Sequence, residues 1–339
     1  MIKQSTNSGG IFGLISTRKE SKVILTPVPW EVTTSYGSGT SHGPRAILEA
    51  SPQIDLFDIE FGNAYEQGFF LEKEDPFFMA NNNKLKPLAQ EIIGAWDETT
   101  ELSAPHKATL KQINSACTEM TELVYRKTAA VIKENKIPGL IGGDHSTPLG
   151  AIRAVGEHYA GDFGILHIDA HADLRLAYQG FSHSHASIMR NVCALKTPPK
   201  HLVQVGIRDF CQEEYDFIQS NESQVTTFFD SQLKSAQMQG EAWGQLVEKI
   251  LKPLPKNVYV SFDIDGLAPH FCPHTGTPVP GGLSFDEACY LLAQIVKSGR
   301  KIIGFDLNEV APGPEGDEWD GNVGSRLLFK LCGWAAVSK

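Results

Sequence analysis

Short apolar runs alternate with helix-length segments along most of this chain, and several of the runs end in clusters of acids, histidines or amides. KVILTPVPW (22–30) and the alternating IDLFDIEFG (54–62) are followed by IPGLIGG (137–143), FGILHID (163–169), HLVQVGIR (201–208), VYVSFDID (258–265) and KIIGFDLNEV (301–310). Helical patterns lie between them at about 43–51, 107–135, 146–159, 184–195, 210–219, 284–298 and 322–337. A strand–helix rhythm predicts an α/β fold with a parallel sheet covered by helices on both faces. The 339 residues suffice for one large domain or two small ones, and the unbroken rhythm favours a single domain over 1–339. Residues 1–20 read as a loose leader. Residues 73–106 read as an irregular, Asn/Pro-rich insertion: a lid, an interface or a simple excursion.

Composition narrows the function classes. Hydrophobic residues make up 41% and charged residues 21%, an ordinary soluble balance, and the net charge of −10 disfavours a general nucleic-acid binder. The six cysteines form no CxxC pair, the first residues lack a sustained apolar core, and no apolar run approaches the roughly 20 residues of a membrane span. A reducing cytoplasm, with no membrane partner, fits these features.

In open parallel sheets ligands bind outside the carboxyl ends of the strands. GGDHS (142–146), DAHAD (169–173), DID (263–265) and NEV (308–310) all fall there. Alternate residues of a strand share a face, so Asp169, His171 and Asp173 converge, as do Asp263 and Asp265. A lone Asp-x-His is ordinarily a strand-end turn. Four converging carboxylates, however, repel one another and need compensating charge. A pair of divalent cations supplies it, with His145 and His171 as neutral ligands, and oxygen-rich ligation without thiolate suits Mn²⁺. Such a pair lowers the pKa of a shared water and presents hydroxide to an electrophilic carbon or phosphorus. Phosphoryl transfer is disfavoured, because GxxxxGK[ST] is absent and Arg175 is the only arginine beside these clusters in sequence.

Other residues complete a candidate site. Glu309 is a carboxylate left over, placed either to hold a guanidinium through two N–H donors or to face solvent as an ordinary surface glutamate. FSHSHAS (181–187) adds His183 and His185. His185 is suited to carry a proton to a leaving amine, and either histidine could instead cap the next helix. GTPVPGG (276–282) reads as a rigid pocket wall, and GSGTSHGPRAILEAS (37–51) as a rim loop feeding a helix.

In their order, GGDHS, DAHAD, SFDIDGL…TGTPVPGGLS and GFDLNEV resemble the ureohydrolase (arginase/agmatinase) family, from about Gly37 to Glu309. The resemblance implies a three-layer α/β/α sandwich with a central, mostly parallel sheet, two Mn²⁺ per subunit bridged by hydroxide, and a homo-oligomer, a trimer or hexamer. It makes His145, Asp169, Asp173 and Asp263 ligands of one ion and Asp169, His171, Asp263 and Asp265 ligands of the other. His185 falls on the family's proton-shuttling histidine and Glu309 on its guanidinium-orienting glutamate. The implied reaction is hydrolysis of a C–N bond in a small guanidino or amidine substrate, releasing urea from a guanidine.

Departures bear on the substrate. Cys211 in GIRDFC stands where arginases carry an aspartate for the substrate α-amino group, and the PGG of GTPVPGG is more like agmatinases. Arg175 in DLR is similar to formiminoglutamases and could bind a substrate carboxylate, although FSHSHAS does not match them. Ala268 replaces the aspartate of the usual DGLDP. An agmatinase-like ureohydrolase is the leading expectation. A formiminoglutamase-type hydrolase, a single-zinc deacetylase-like amidohydrolase and a metal-stabilised binding protein without turnover are the alternatives.

Overall fold

Six of the expected apolar runs are strands: β1 (Val23–Val28), β3 (Ile137–Gly142), β4 (Gly164–Ile168), β5 (His201–Ile207), β7 (Asn257–Asp263) and β8 (Lys301–Asn308). Two short strands, β2 (Phe69–Leu71) and β6 (Val225–Phe229), close the edges. The computed structural model describes residues 10–98 and 101–339. All eight strands join one parallel sheet in the order β2-β1-β3-β8-β7-β4-β5-β6. The sheet is therefore wholly parallel, rather than mostly so.

Its two faces are covered by different helices. Leu166, Ile168, Val203, Val205, Val260 and Phe262 pack with α1 (Gly43–Ala50), α7 (Asp230–Met238), α8 (Trp243–Leu251), α9 (Phe285–Lys297) and α10 (Trp319–Val337). Ile165, Leu202, Ile207 and Tyr259 pack on the opposite face with α3 (Ala104–Lys133), α4 (Leu149–His158), α5 (Ile188–Cys193) and α6 (Gln212–Ser220). Helix α2 (Pro76–Glu98) lies outside α3 and shares a third apolar cluster with it. The result is the three-layer α/β/α sandwich, each sheet face buried as parallel strands require.

Three expectations are corrected. Residues 1–9 of the proposed leader lie outside the described residues, whereas Ile11, Phe12 and Leu14 are buried, with the Phe12 ring edge-on to Phe69 and Phe329. Residues 54–62 form no strand beyond a single Asp58–Gly62 bridge, and Phe57 and Ile59 stand exposed because no neighbouring strand covers that segment. The supposedly irregular stretch 73–106 is largely helical: α2 spans Pro76–Glu98, and Ser103 caps α3 through His106 N–H. Phe78, Leu85, Ala89 and Ile92 make the buried stripe of α2. Among the described residues no helix is long and apolar enough to cross a membrane.

The sheet order decides where chemistry occurs. The polar clusters end β3, β4, β7 and β8, and these four strands are consecutive at the sheet centre. The chain passes from β3 to β4 leaving room for two strands, and the crevice above that switch point collects their carboxyl ends.

Candidate metal centre

His145 lies in the turn after β3, its backbone N–H donating to Glu309 Oε1 at 2.9 Å. Its Nδ1 is 2.9 Å from Asp169 Oδ2, 3.1 Å from Asp263 Oδ2 and 3.4 Å from Asp173 Oδ2. Beside this group, His171 Nδ1 is 3.4 Å from Asp169 Oδ1 and 3.1 Å from Asp265 Oδ2. Asp169 thus turns one oxygen to each histidine. All six expected ligand residues converge on one buried cluster, and only His171 is partly exposed.

The electrostatics suit a cation. Burial and the Asp169 charge push the Asp173 carboxyl well above its ordinary range; burial and Asp265 do the same to Asp263. Burial opposes ionisation of Asp169 as well, but His167 and the other histidines around it hold it well below that range. Carboxylates so placed share protons unless positive charge joins them. Oxygen and imidazole donors in two adjoining sets, with no thiolate, fit hard to borderline divalent ions.

Local hydrogen bonds select the ligand atoms. Ser261 Oγ donates to Asp306 Oδ1 at 2.9 Å, so it accepts from His145 Nε2 at 3.0 Å. The proton of His145 is thereby held on Nε2, and Nδ1 presents its lone pair to the acids. Burial pushes Asp306 up to about 6. Backbone geometry is also unusual here: Asp173 (φ 56°) and Glu309 (φ 63°) are both left-handed. Asp173 is held by Met189 and Arg190 N–H groups donating to its carbonyl at 3.0 and 3.1 Å. Non-glycine residues in that region store strain that neighbouring contacts must offset.

A cleft of about 210 Å³ opens over His171 and Asp173. Its wall includes Arg175, Tyr178, His185, Asp209, Glu214 and Thr277, with Ser35 and Tyr36 at the rim. The rim is braced by α2: Lys86 Nζ donates to the Glu31 and Thr34 carbonyls at 2.9 and 3.2 Å, and Asn82 Oδ1 accepts from Glu31 N–H at 2.7 Å. The two loops expected to shape the pocket meet, with Gly37 N–H donating to the Gly276 carbonyl at 3.0 Å. Thr277 Oγ1 lies 3.3 Å from Asp265 Oδ2.

His185 Nδ1 has no hydrogen-bond partner among the described residues, and burial and His171 push the imidazole down to about 3. His183 is not brought to the cleft; its Nδ1 lies 3.2 Å from Ser182 Oγ. Glu309 is buried, which removes the surface-glutamate reading, and it is not among the residues that line the cleft; burial and Asp144 push its carboxyl well upward. Arg175 Nε is 3.7 Å from Glu214 Oε2, and its guanidinium lies 4.9 Å from the Tyr178 ring centroid. Cys211 caps α6 away from the cleft, where Asp209, Phe210 and Glu214 stand instead. Tyr178, Glu214 and Tyr36 carry no motif that sequence reading could have used, because loop folding alone gathers them, and Asp209 stands in the GIRD run without having been singled out. His167, whose ring joins the His145 donor set, was also missed; the signal was a histidine inside an apolar strand.

The model of the Arginase family matches residues 21–333, nearly the whole chain. The chain belongs to the arginase family. This family member is 30% identical over 325 residues to a Synechocystis N(1)-aminopropylagmatine ureohydrolase, covering 96% of this chain and 92% of that protein. It is 30% identical over 329 residues to an agmatinase of Halalkalibacterium halodurans, covering 96% and 97%. Its fold is shared with a Trypanosoma cruzi formiminoglutamase variant solved with Mn²⁺, at a TM-score of 0.72 and 16% identity over 96% of both chains. As an arginase-family hydrolase the chain brings together a His/Asp cluster suited to metal at the centre of an arginase fold.

Proposed function

We propose that this arginase-family hydrolase cleaves a C–N bond of a guanidino compound other than arginine and releases urea, with residues 1–339 acting as one catalytic domain of a homo-oligomer. The observation that carries this reading is the Asp169 carboxylate, which turns Oδ2 to His145 and Oδ1 to His171. Two Mn²⁺ ions fit it, one held by His145, Asp169, Asp173 and Asp263, the other by Asp169, His171, Asp263 and Asp265. Bound there, the ions supply Lewis acidity and a nucleophile usable near neutral pH.

The chain's own residues do the rest. Glu309, anchored through Oε1 to His145 N–H, faces a guanidinium with its remaining oxygen. The unpartnered Nδ1 of His185, on the cleft wall, is the atom free to exchange a proton with the leaving amine. Tyr178, Tyr36 and the 276–282 wall restrict water and orient the substrate.

Arg175 favours a second reading. Among the described residues its Nη atoms have no hydrogen-bond partner, and it stands on the cleft wall. A fork left open in that position suits a carboxylate, as in a guanidino acid or a formimino acid. Urea, ammonia and formamide release from agmatine, guanidinobutyrate, guanidinoacetate, arginine, guanidine and formiminoglutamate, with Mn²⁺ present, tests both readings. Urea from a guanidine other than arginine supports the first, and formamide from formiminoglutamate the second. No release from any of them overturns both. One tightly held zinc per chain would overturn the two-manganese assignment, and a monomer by light scattering would overturn the oligomer.

A further inference from the structure

Strands buried on both faces of a parallel sheet ordinarily read as continuous apolar runs. This sheet breaks that pattern along one transverse row. Thr227 on β6 is in register with Gln204 on β5, and Gln204 with His167 on β4. Gln204 and His167 are fully buried and Thr227 is half-buried, so two polar groups have been placed where valine or leucine would pack without desolvation cost.

The hydrogen bonds along the row run in one direction. Gln204 Nε2 donates to the Ala172 carbonyl at 2.7 Å, and its Oε1 accepts from Thr227 Oγ1 at 2.9 Å. A carbonyl only accepts, so the Ala172 contact fixes which end of the amide is nitrogen. The same Nε2 lies 3.1 Å from His167 Nδ1 and donates to it. His167 Nδ1 is then an acceptor, its proton resides on Nε2, and that N–H meets Asp169 Oδ2 at 2.8 Å.

We infer that Thr227, Gln204 and His167 form a positioning arm that aims one N–H at Asp169 Oδ2 and so sets the affinity of the centre for its ions. A carboxylate oxygen offers two lone-pair directions. The His167 N–H takes one, and the other is left pointing toward His145 and its neighbours. Without the arm Oδ1 keeps the His171 backbone N–H at 2.6 Å, but Oδ2 loses the donor that orients its lone pairs. This inference rests on the metal-centre reading above.

The test is Mn²⁺ binding to the metal-free full-length chain by chelator competition, with thermal unfolding of each variant as the folding control. His167→Phe is expected to weaken at least one ion's binding 10- to 100-fold, the range seen when groups supporting metal ligands are removed. His167→Gln, which restores an N–H near the lost Nε2, should stay within about threefold of wild type. Thr227→Val, which removes a single hydroxyl, should weaken binding measurably, and Thr227→Ser should not. Wild-type affinity in both His167→Phe and Thr227→Val overturns the inference, as does a His167→Phe loss that His167→Gln leaves unrepaired. An Nδ1–H tautomer for His167 by ¹⁵N NMR overturns it regardless of how the variants fold. Because binding is read rather than turnover, failure here leaves the hydrolase reading intact, and a wild type inactive on every substrate leaves this comparison valid.

Discussion

Glu309 and His145, 164 residues apart, are joined by a 2.9 Å hydrogen bond from the His145 backbone N–H to Glu309 Oε1. One carboxylate thus braces a candidate metal ligand, and in the proposed function its other oxygen is the one that meets substrate. Glu309→Gln preserves the acceptor and removes the charge. It should leave the melting temperature nearly unchanged while kcat/KM falls about 10- to 150-fold, the worth of one charged hydrogen bond. Glu309→Ala should in addition destabilise by about 1–3 kcal/mol, because a buried N–H loses its partner. Kinetics and thermal melts of the two variants check the separation; equal melting temperatures for both would sink it.

Asp169 faces both histidines, so its loss should affect both ion positions. Asp169→Asn is expected to lower bound manganese from two per chain to one or fewer. Turnover should fall about a thousandfold, equivalent to about 4 kcal/mol of barrier. Metal analysis of the purified variant decides it, and retention of both ions would refute the assignment.

His185 predicts a pH signature. Its folded pKa is pushed down to about 3, against an unfolded value near 6.5. Between those values the unfolded chain binds the proton and the folded chain does not, so this group costs stability as pH falls below about 6.5. His185→Asn removes that cost. In metal-free protein the variant should gain on wild type by about 1 kcal/mol at pH 5 relative to pH 7.5, after discounting for solvent screening. Melts at the two pH values measure the gain, and an unchanged gap contradicts it.

Arg175 bears on substrate choice. Arg175→Ala should raise KM for guanidino or formimino acids about tenfold or more, and leave agmatine turnover nearly unaffected. Arg175→Lys should recover little, because an ammonium cannot reproduce the two-pronged contact. Parallel kinetics on a carboxylate and a cationic substrate distinguish the outcomes.

Arg208 donates to the Gly206, Asp265, Leu267 and Val279 carbonyls, tying β5 to the Asp265 turn and the pocket wall. Gly282 makes room for it: a Cβ there would lie 2.7 Å from the Leu267 carbonyl oxygen and 2.9 Å from Arg208 Nη2, at φ +92°. Gly282→Ala should cost about 1–3 kcal/mol through backbone strain alone. It should also weaken metal binding by displacing the Arg208 fork, which calorimetry and metal titration read separately.

Much of this was visible before folding, for a physical reason. Ile165, Leu166 and Ile168 followed by Asp169 and His171 announce both a buried strand and the polar end of it, and residues 258–265 repeat the announcement. The edge strands did not announce themselves. Phe69–Leu71 is too short to show a period, and Val225–Phe229 is only half buried. Helix α2 was hidden because Asn81, Asn82 and Asn83 and an internal Pro87 break its apolar spacing, although Phe78, Leu85 and Ala89 keep it. His167 could be seen, but not its meaning: Gln204 lies 37 residues away, and only strand register makes the two neighbours.

The strand order also sets a timetable. Strands β7 and β8 fill the gap between β3 and β4, so a ribosome that has released only the first 200 residues has delivered His145, Asp169, His171 and Asp173 without the strands that separate and support them. Both inner edges of the unfinished sheet wait for residues 257–308, and Asp263, Asp265 and Glu309 arrive with or just after them. Until residues 257–309 join the sheet the cluster lacks Asp263, Asp265 and Glu309, so the full set of acids and histidines exists only once the two central strands stand between β3 and β4.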